Sequence, residues 1–492
     1  MAYINGIDRN QPCFSDFFIL DNLISEDNPV RAIDAFVSSL DLASLGFIIY
    51  DPNKAGQRPY NTSTLLKIHL YGFFNKVTSC RRLQKECSRN IELMWLTGKL
   101  VPDYSTISAF FKSNSDSIKK LFKEFNNICI QLDLFGFKIF AVDGTKIKAS
   151  NSLKNSFTQD KLKLCIENID KKIQEYSLAI SSDLIEDKNS INEFQQKLKL
   201  IEQRKIKYSD LLEDMQKNDI LERNLVDPDC KVMNNHGRTE CDYNIQSVVD
   251  SKNHLILNHE VTNNANDIGL LEPMVTKTIQ DYNLNHLTSS NTNNTPSSAN
   301  NLTVIADAGY FKSSDIINLN NINISPIVPK PKASGYVSSA FSKDNFIYNK
   351  VDDTYTCPYS KKLYFLRNSK ETRKNITSYY KIYACNSCFK CPNLNDCTTS
   401  INGRTIKRNI NESSINTIQN EYKHTSSIYR LRKSIVEHPF GTIKFTLGFY
   451  HTEFRRKPMV SAWASLAFFT YNFKRVIHIL GVNKLIKAFG SA

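Results

Sequence analysis

Apolar residues recur at helical spacing through the first 135 positions, and at strand spacing only beyond them. In RAIDAFVSSLDL, Ile33, Phe36, Val37 and Leu40 share one side of a 3.6-residue repeat. STLLKIHLYGFFNKV and SCRRLQKECSRNIELMWLTG continue the pattern. STISAFFKSNSDSIKKLFKEFNNI reads as a further amphipathic helix, with Asp103 or Ser105 as its N-cap. Residues 15 to 135 are therefore expected to be all-helical. Lys76, Arg81, Arg82 and Lys85 lie on or between these helices. The segment suits a DNA-binding domain or a plain core-forming bundle equally well.

KIFAVDGTKIKA, residues 138 to 149, switches to strand character. Residues 153 to 224 are polar and rich in Lys, Glu, Gln and Leu, and read as an antiparallel helical pair on a solvated insertion. YNIQSVVDSKNHLILNHEVT predicts two strands joined at Asp250–Asn253. NDIGLLEPMVTKTIQDY predicts a helix capped by Asn266 or Asp267, and residues 286 to 301 a low-complexity polar loop. TVIADAGY then reads as a strand, SSDIINLNN as a short helix and ISPIVP as another strand. Residues 330 to 410 interrupt this order with Gly, Pro, Lys and clustered Cys, and helix returns over 415 to 480. With the interruptions removed, three strands precede helix, strand, helix and strand. That is the order of a ribonuclease-H-like mixed-sheet core, an α/β fold. The expected organisation is a helical domain over 1–135, an α/β domain over 136–480 and a tail over 481–492. The α/β domain carries a helical insertion at 151–225 and a cysteine-bearing one at 330–412.

At 492 residues the chain has room for about two to four domains. No run of about 18 uncharged apolar residues exists, so no membrane span is expected. The opening MAYINGIDRN lacks a basic segment followed by an apolar one, and the expected compartment is the cytoplasm. Net charge is +14, and residues 401 to 492 hold fifteen Lys and Arg against four Asp and Glu. Positive charge so concentrated points to a polyanion, because each neutralised phosphate releases counterions. Most of the twelve cysteines are expected to be reduced.

Two acids stand out. Asp143 and Asp307 each follow an apolar strand, where ligands of α/β proteins bind, and each has a glycine close behind, Gly144 and Gly309. Carboxylates are natural ligands of hard divalent ions such as Mg²⁺. A third carboxylate, Glu437, lies in YRLRKSIVEHPFGTIK among Arg430, Arg432, Lys433 and Lys444. Pro439 disfavours helix at His438, so Glu437 is expected at a helix end or kink. Five cysteines cluster at 357, 385, 388, 391 and 397. Their Cys-x₂-Cys spacing fits a structural Zn²⁺ held by Cys357, Cys388, Cys391 and Cys397, with Cys385 spare. A reduced, metal-free cluster is the alternative.

AVDGTKIKA, VIADAGY and YRLRKSIVEHPFGTIK together resemble the three catalytic blocks of insertion-sequence DDE transposases. The likeness extends to NPVRAIDAFV, SCRRLQKEC, MWLTG, PDYSTISAFF, LVDPDCKVM, YNIQSVVDSKNHLI and LAFFTYNFKRVIHILG. It implies that Asp143, Asp307 and Glu437 bind two Mg²⁺ ions, for which Mn²⁺ can substitute. The enzyme would bind the terminal inverted repeats of a bacterial insertion sequence, cut the strand and join the freed end to target DNA. Lys444 keeps the family's spacing after the Glu, whereas Lys433 stands where Arg is expected and Arg430 where Tyr is expected. Arg430, Arg432, Lys433, Lys444 and Lys146 are the expected phosphate contacts, and His438 has a structural role. A dimer in the DNA complex and a cytoplasmic, nucleoid-associated location follow. Two other readings are a metal-dependent nuclease on the same core and a non-catalytic basic DNA-binding protein.

Overall fold

A computed structural model describes residues 12–14, 18–50, 58–181, 188–235, 237–287, 302–331, 338–373, 376–421 and 426–490. The opening decapeptide and most of the polar loop expected at 286–301 lie outside these residues. The described residues fall into two compact units. The first takes those of 1–136, 143–266 and 436–492, and the second those of 137–142 and 267–435.

A short antiparallel strand pair, Pro12–Phe14 with Phe18–Ile19, departs from the all-helical expectation, and six α-helices follow it: α1 (Pro29–Ser39), α2 (Thr62–Phe74), α3 (Cys80–Cys87), α4 (Ile91–Thr97), α5 (Tyr104–Ser113) and α6 (Ser115–Gln131). Two periodic runs each divide in two. The Asn90 side chain accepts from the backbone N–H of Glu92 and Leu93, which ends the helical run before it and starts α4. At Asn114 (φ −113°, ψ 22°) the side chain accepts from the Ile48 N–H at 2.8 Å and donates to the Phe110 carbonyl at 2.9 Å, breaking α5 from α6. Asp103 caps α5 through the Ser105 N–H at 2.8 Å.

The remaining core elements are β1 (Ile139–Lys148), α7 (Gln159–Ser181), α8 (Lys188–Lys217), β2 (Arg238–Asp250), β3 (Ile256–Thr262), α9 (Leu271–Asp281), β4 (Thr303–Ile305), α10 (Ser313–Asn321), β5 (Ser325–Ile327), α11 (Ser426–Gly441) and α12 (Lys457–Leu480). In the second unit β4 runs parallel to the start of β1, pairing Ile139 with Thr303 and Ala141 with Ile305, and β5 runs parallel to β4. In the first unit β2 and β3 form an antiparallel hairpin, with Asn244 opposite Thr262. The short strand Lys231–Asn235 pairs with the other end of β2. Followed from strand to strand, the order is β3-β2-β1-β4-β5, the mixed arrangement of a ribonuclease-H-like core.

Three local readings are corrected. β1 does not end at Asp143 but runs on to Lys148, because Thr145 and Ile147 continue its buried alternation while β2 pairs alongside. What ends at Ala141 is the pairing with β4. Helix α9 begins at Leu271 with no side-chain cap, since Gly269 sits at φ +82° and the helix forms only after it. Helix α11 continues through Pro439, so Glu437 lies within it. Burial of Ile435, Val436, Pro439 and Phe440 on one face outweighs the local penalty, and a π-helical turn, Thr442–Thr446, follows.

The core of the first unit forms around α12. Phe36 of α1 packs within 5.5 Å, ring to ring, of Phe125, Phe469 and Phe489, so the opening helices share one aromatic cluster with the end of the chain. Asn472, fully buried on α12, accepts from the Ile256 N–H at 2.9 Å and donates to the Asn126 side chain at 2.9 Å. Helices α7 and α8 pair over a small core of Phe157, Leu162 and Met215. In the second unit, residues 347–409 carry a five-stranded antiparallel sheet over Phe341, Tyr355, Leu363, Tyr383 and Ile406. No described helix is long and apolar enough to cross a membrane.

Candidate active site

Each of the two aspartates accepts a nearby glycine N–H, Asp143 within a strand and Asp307 at a turn. Asp143 accepts the N–H of Gly144 at 2.9 Å, and Asp307 accepts that of Gly309 at 2.8 Å. Asp307 thereby caps a single 3₁₀ turn, Ala308–Tyr310, pinned by fully buried Tyr310. A Cβ on Gly309 would stand 2.9 Å from Asp307 Oδ1, so only glycine lets the carboxylate lie over this turn. The same point is 3.7 Å from Asp267 Oδ2, which brings a further acid of the second unit to the Asp307 turn.

In the first unit Asp143 belongs to a charged cluster. Burial lowers the Lys444 ammonium pKa, and the carboxylates of Asp242 and Asp143 work against that shift. Lys146 reaches the Asn234 carbonyl and also feels Asp242. Asp242, on β2, is fully buried; burial first and the Glu240 charge second push its carboxyl up to about 6. Its Oδ2 accepts from the Asn235 amide at 3.2 Å, whereas its buried Oδ1 has no hydrogen-bond partner. The first unit thus gathers Asp143, Lys146 and Lys444 around an acid that the sequence did not single out. Asp242 sits in TECDYNIQSVV, a polar interruption of an otherwise buried strand, and that was its one signal.

Glu437 is exposed on α11. Its neighbour His438 meets the Tyr471 hydroxyl at 3.1 Å, and Tyr471 donates to the His254 carbonyl at 2.8 Å, which anchors the helix to the β2–β3 turn. Earlier on α11, Arg430 and Lys433 are exposed and Arg432 is half-buried. In the second unit an open cleft of about 860 Å³ follows β5, lined by Lys330, Lys343 and Arg408 together with Tyr348, Tyr355 and Tyr429. Arg408 lies 3.6 Å over the Tyr348 ring.

LVDPDCKVM also finds a physical role. Asp227 Oδ1 accepts the Arg456 N–H at 3.1 Å, and Asp229 Oδ2 accepts the Lys457 N–H at 2.8 Å. Two carboxylates therefore satisfy the positive end of α12. Tyr243 donates to the same buried Asp227.

Hard carboxylate oxygens, one of them an orphaned buried Oδ1 at Asp242, suit a divalent cation in kind. Among the described residues, no three His, Cys, Asp or Glu side chains are grouped so as to hold one.

Two family profiles match the chain: a transposase domain (DUF772) over residues 18–113, and a transposase DDE domain over 356–477. The second match includes Glu437 and Lys444. No curated protein matches the chain. A cryo-EM structure of a piggyBac transposase synaptic complex with hairpin DNA aligns with 94% of this chain and 79% of that one. Its sequence is 10% identical and the TM-score is 0.35, a likeness too loose to carry an argument.

Proposed function

With the chain a DDE transposase by the two domains it carries, we propose that Asp143, Asp307 and Glu437 are its catalytic acids and hold two Mg²⁺ ions, or Mn²⁺ in their place. The observation that carries the reading is strand register. Ala141 and Ile305 are the last paired residues of two adjacent parallel strands, and Asp143 and Asp307 each follow by two. Divalent ions held there would polarise the scissile phosphate and lower the pKa of the attacking water. The chain's own groups do the rest. Lys444 and Lys146, beside Asp143, neutralise the DNA backbone next to the reacting phosphate. Arg430, Arg432 and Lys433, on α11, grip the phosphates of the element's end. Asp307, fixed through one oxygen by the Gly309 N–H, offers its other carboxylate oxygen to the metal.

The substrate is the terminal inverted repeat of a bacterial insertion sequence. Water attack frees a 3′ hydroxyl, which then attacks a phosphate of target DNA. Both steps are in-line displacements at one site and need no histidine base. Two ends must be brought together, so the enzyme works as a dimer on DNA, in the cytoplasm at the nucleoid.

The test is cleavage and joining of DNA carrying the inverted repeats, with and without Mg²⁺. Wild type should cut and join only with the metal. Asp143→Ala should bind the ends and do neither. Normal cutting by Asp143→Ala would overturn the assignment, and metal-dependent cutting without joined product would make the enzyme a nuclease.

A further inference from the structure

All five cysteines of the second unit's insertion line one small enclosed cavity of about 30 Å³, beside Leu363 and Arg404. That is room for one ion-sized guest. Two of the sulfurs already receive backbone donors. The Lys361 N–H points to Cys357 Sγ at 3.3 Å, in a turn closed by Cys357 N–H on the Lys361 carbonyl at 2.9 Å. The Arg404 N–H donates to the Cys388 thiol. That donor is brought in by Gly403, at φ +77°, where a Cβ would come 2.9 Å from Cys388 Cβ.

The thiols are also electrostatic neighbours. Cys397 senses Cys357 and Cys391, and Cys388 senses Cys385 and, more weakly, Cys397. Cys385 Sγ meets the Ser387 hydroxyl at 3.1 Å and also pairs with Cys388, so it competes with the ion for that thiol and is the spare fifth sulfur of the proposal. Among the described residues no three of the sulfurs are grouped so as to hold an ion, so ligation requires the cysteine side chains to rearrange.

We propose that Cys357, Cys388, Cys391 and Cys397 bind one structural Zn²⁺ as a tetrahedral tetrathiolate. Four thiol protons leave to solvent as four Zn–S bonds form. The ion ties the turn before strand Lys362–Arg373 to the loop that leads into strand Thr405–Asn409, and so fixes the edge-to-edge geometry of the insertion's sheet.

The experiment is the zinc content of the purified full-length chain by plasma mass spectrometry, which reads no DNA chemistry and stands apart from the transposase reading. Wild type and Cys385→Ser should hold about one zinc per chain, and Cys388→Ser and Cys397→Ser under about a fifth of that. Wild type without zinc, or Cys385→Ser losing as much as Cys397→Ser, would overturn the proposal. Should the serine variants fail to fold, Co²⁺ added to the metal-stripped wild type decides. The visible bands of a tetrahedral cobalt thiolate are expected, and their absence refutes the site.

Discussion

Gly309→Ala is expected to separate folding from catalysis. The added Cβ would lie 2.9 Å from Asp307 Oδ1, against ordinary contacts of 3.4 Å and more, while its next neighbour, Asp267 Oδ2, is a comfortable 3.7 Å away. Gly309 does not occupy the left-handed region, so alanine meets no backbone strain there. The clash is relieved by rotating the Asp307 carboxylate off the Gly309 N–H. Losing that capping bond costs about 1 kcal/mol, which in a chain of this size lowers Tm by about 1 °C. The chemistry should suffer far more. A carboxylate displaced by about 1 Å costs about 10²-fold in rate, equivalent to about 2.7 kcal/mol on the barrier. The assay is single-turnover nicking of end DNA in Mg²⁺, run beside thermal unfolding. Cleavage within about threefold of wild type would refute the reasoning, and so would a Tm loss above about 10 °C.

Asp242→Asn should stabilise the protein at pH 7.5 by about 1–3 kcal/mol, because folding raises this carboxyl from 3.8 to about 6 and so penalises its charged form. The penalty is absent below about pH 4 and complete above about pH 6, so the Tm gain should vanish at pH 4. A gain that is flat across this range would contradict it. Asp227→Ala removes the acceptor for both the Arg456 N–H and the Tyr243 hydroxyl and should cost about 2–4 kcal/mol in urea unfolding. Unchanged stability would show that α12 is not anchored there. Lys444→Ala should weaken end binding and reduce the slope of log affinity against log salt by about 1; an unaltered slope would remove Lys444 from the phosphate contacts.

Much of the architecture could be read from the chain, because its local signals agreed with its tertiary ones. SSDIINLNN became α10 residue for residue, and the β2–β3 hairpin turns where Asp250–Asn253 predicted. Periodicity failed where a single side chain overrode it. It ran unbroken through Asn114, whose amide is taken by Ile48, 66 residues away in sequence. Pro439 argued for a helix end, but its own burial with Ile435, Val436 and Phe440 held the helix together. For the site, the sequence drew attention to acids beside glycines. Asp242 escaped notice and Asp267 was read only as a helix cap, since nothing in a linear pattern says that β2 carries one acid to the Lys444 cluster, or that the residues before α9 carry the other to the Asp307 turn. Asp227 and Asp229 were visible as a motif but not as the cap of a helix that begins more than 220 residues later.

The most direct test of the catalytic assignment is iron-mediated cleavage of the protein itself. Fe²⁺ loaded in place of Mg²⁺ on the DNA-bound enzyme, with ascorbate and peroxide, generates radicals that cut the backbone beside the metal. The account predicts cuts near positions 143, 307 and 437 together, suppressed by excess Mg²⁺ and lost in Asp143→Asn. Cuts near one of the three alone, or a pattern unaffected by Asp143→Asn, would contradict it.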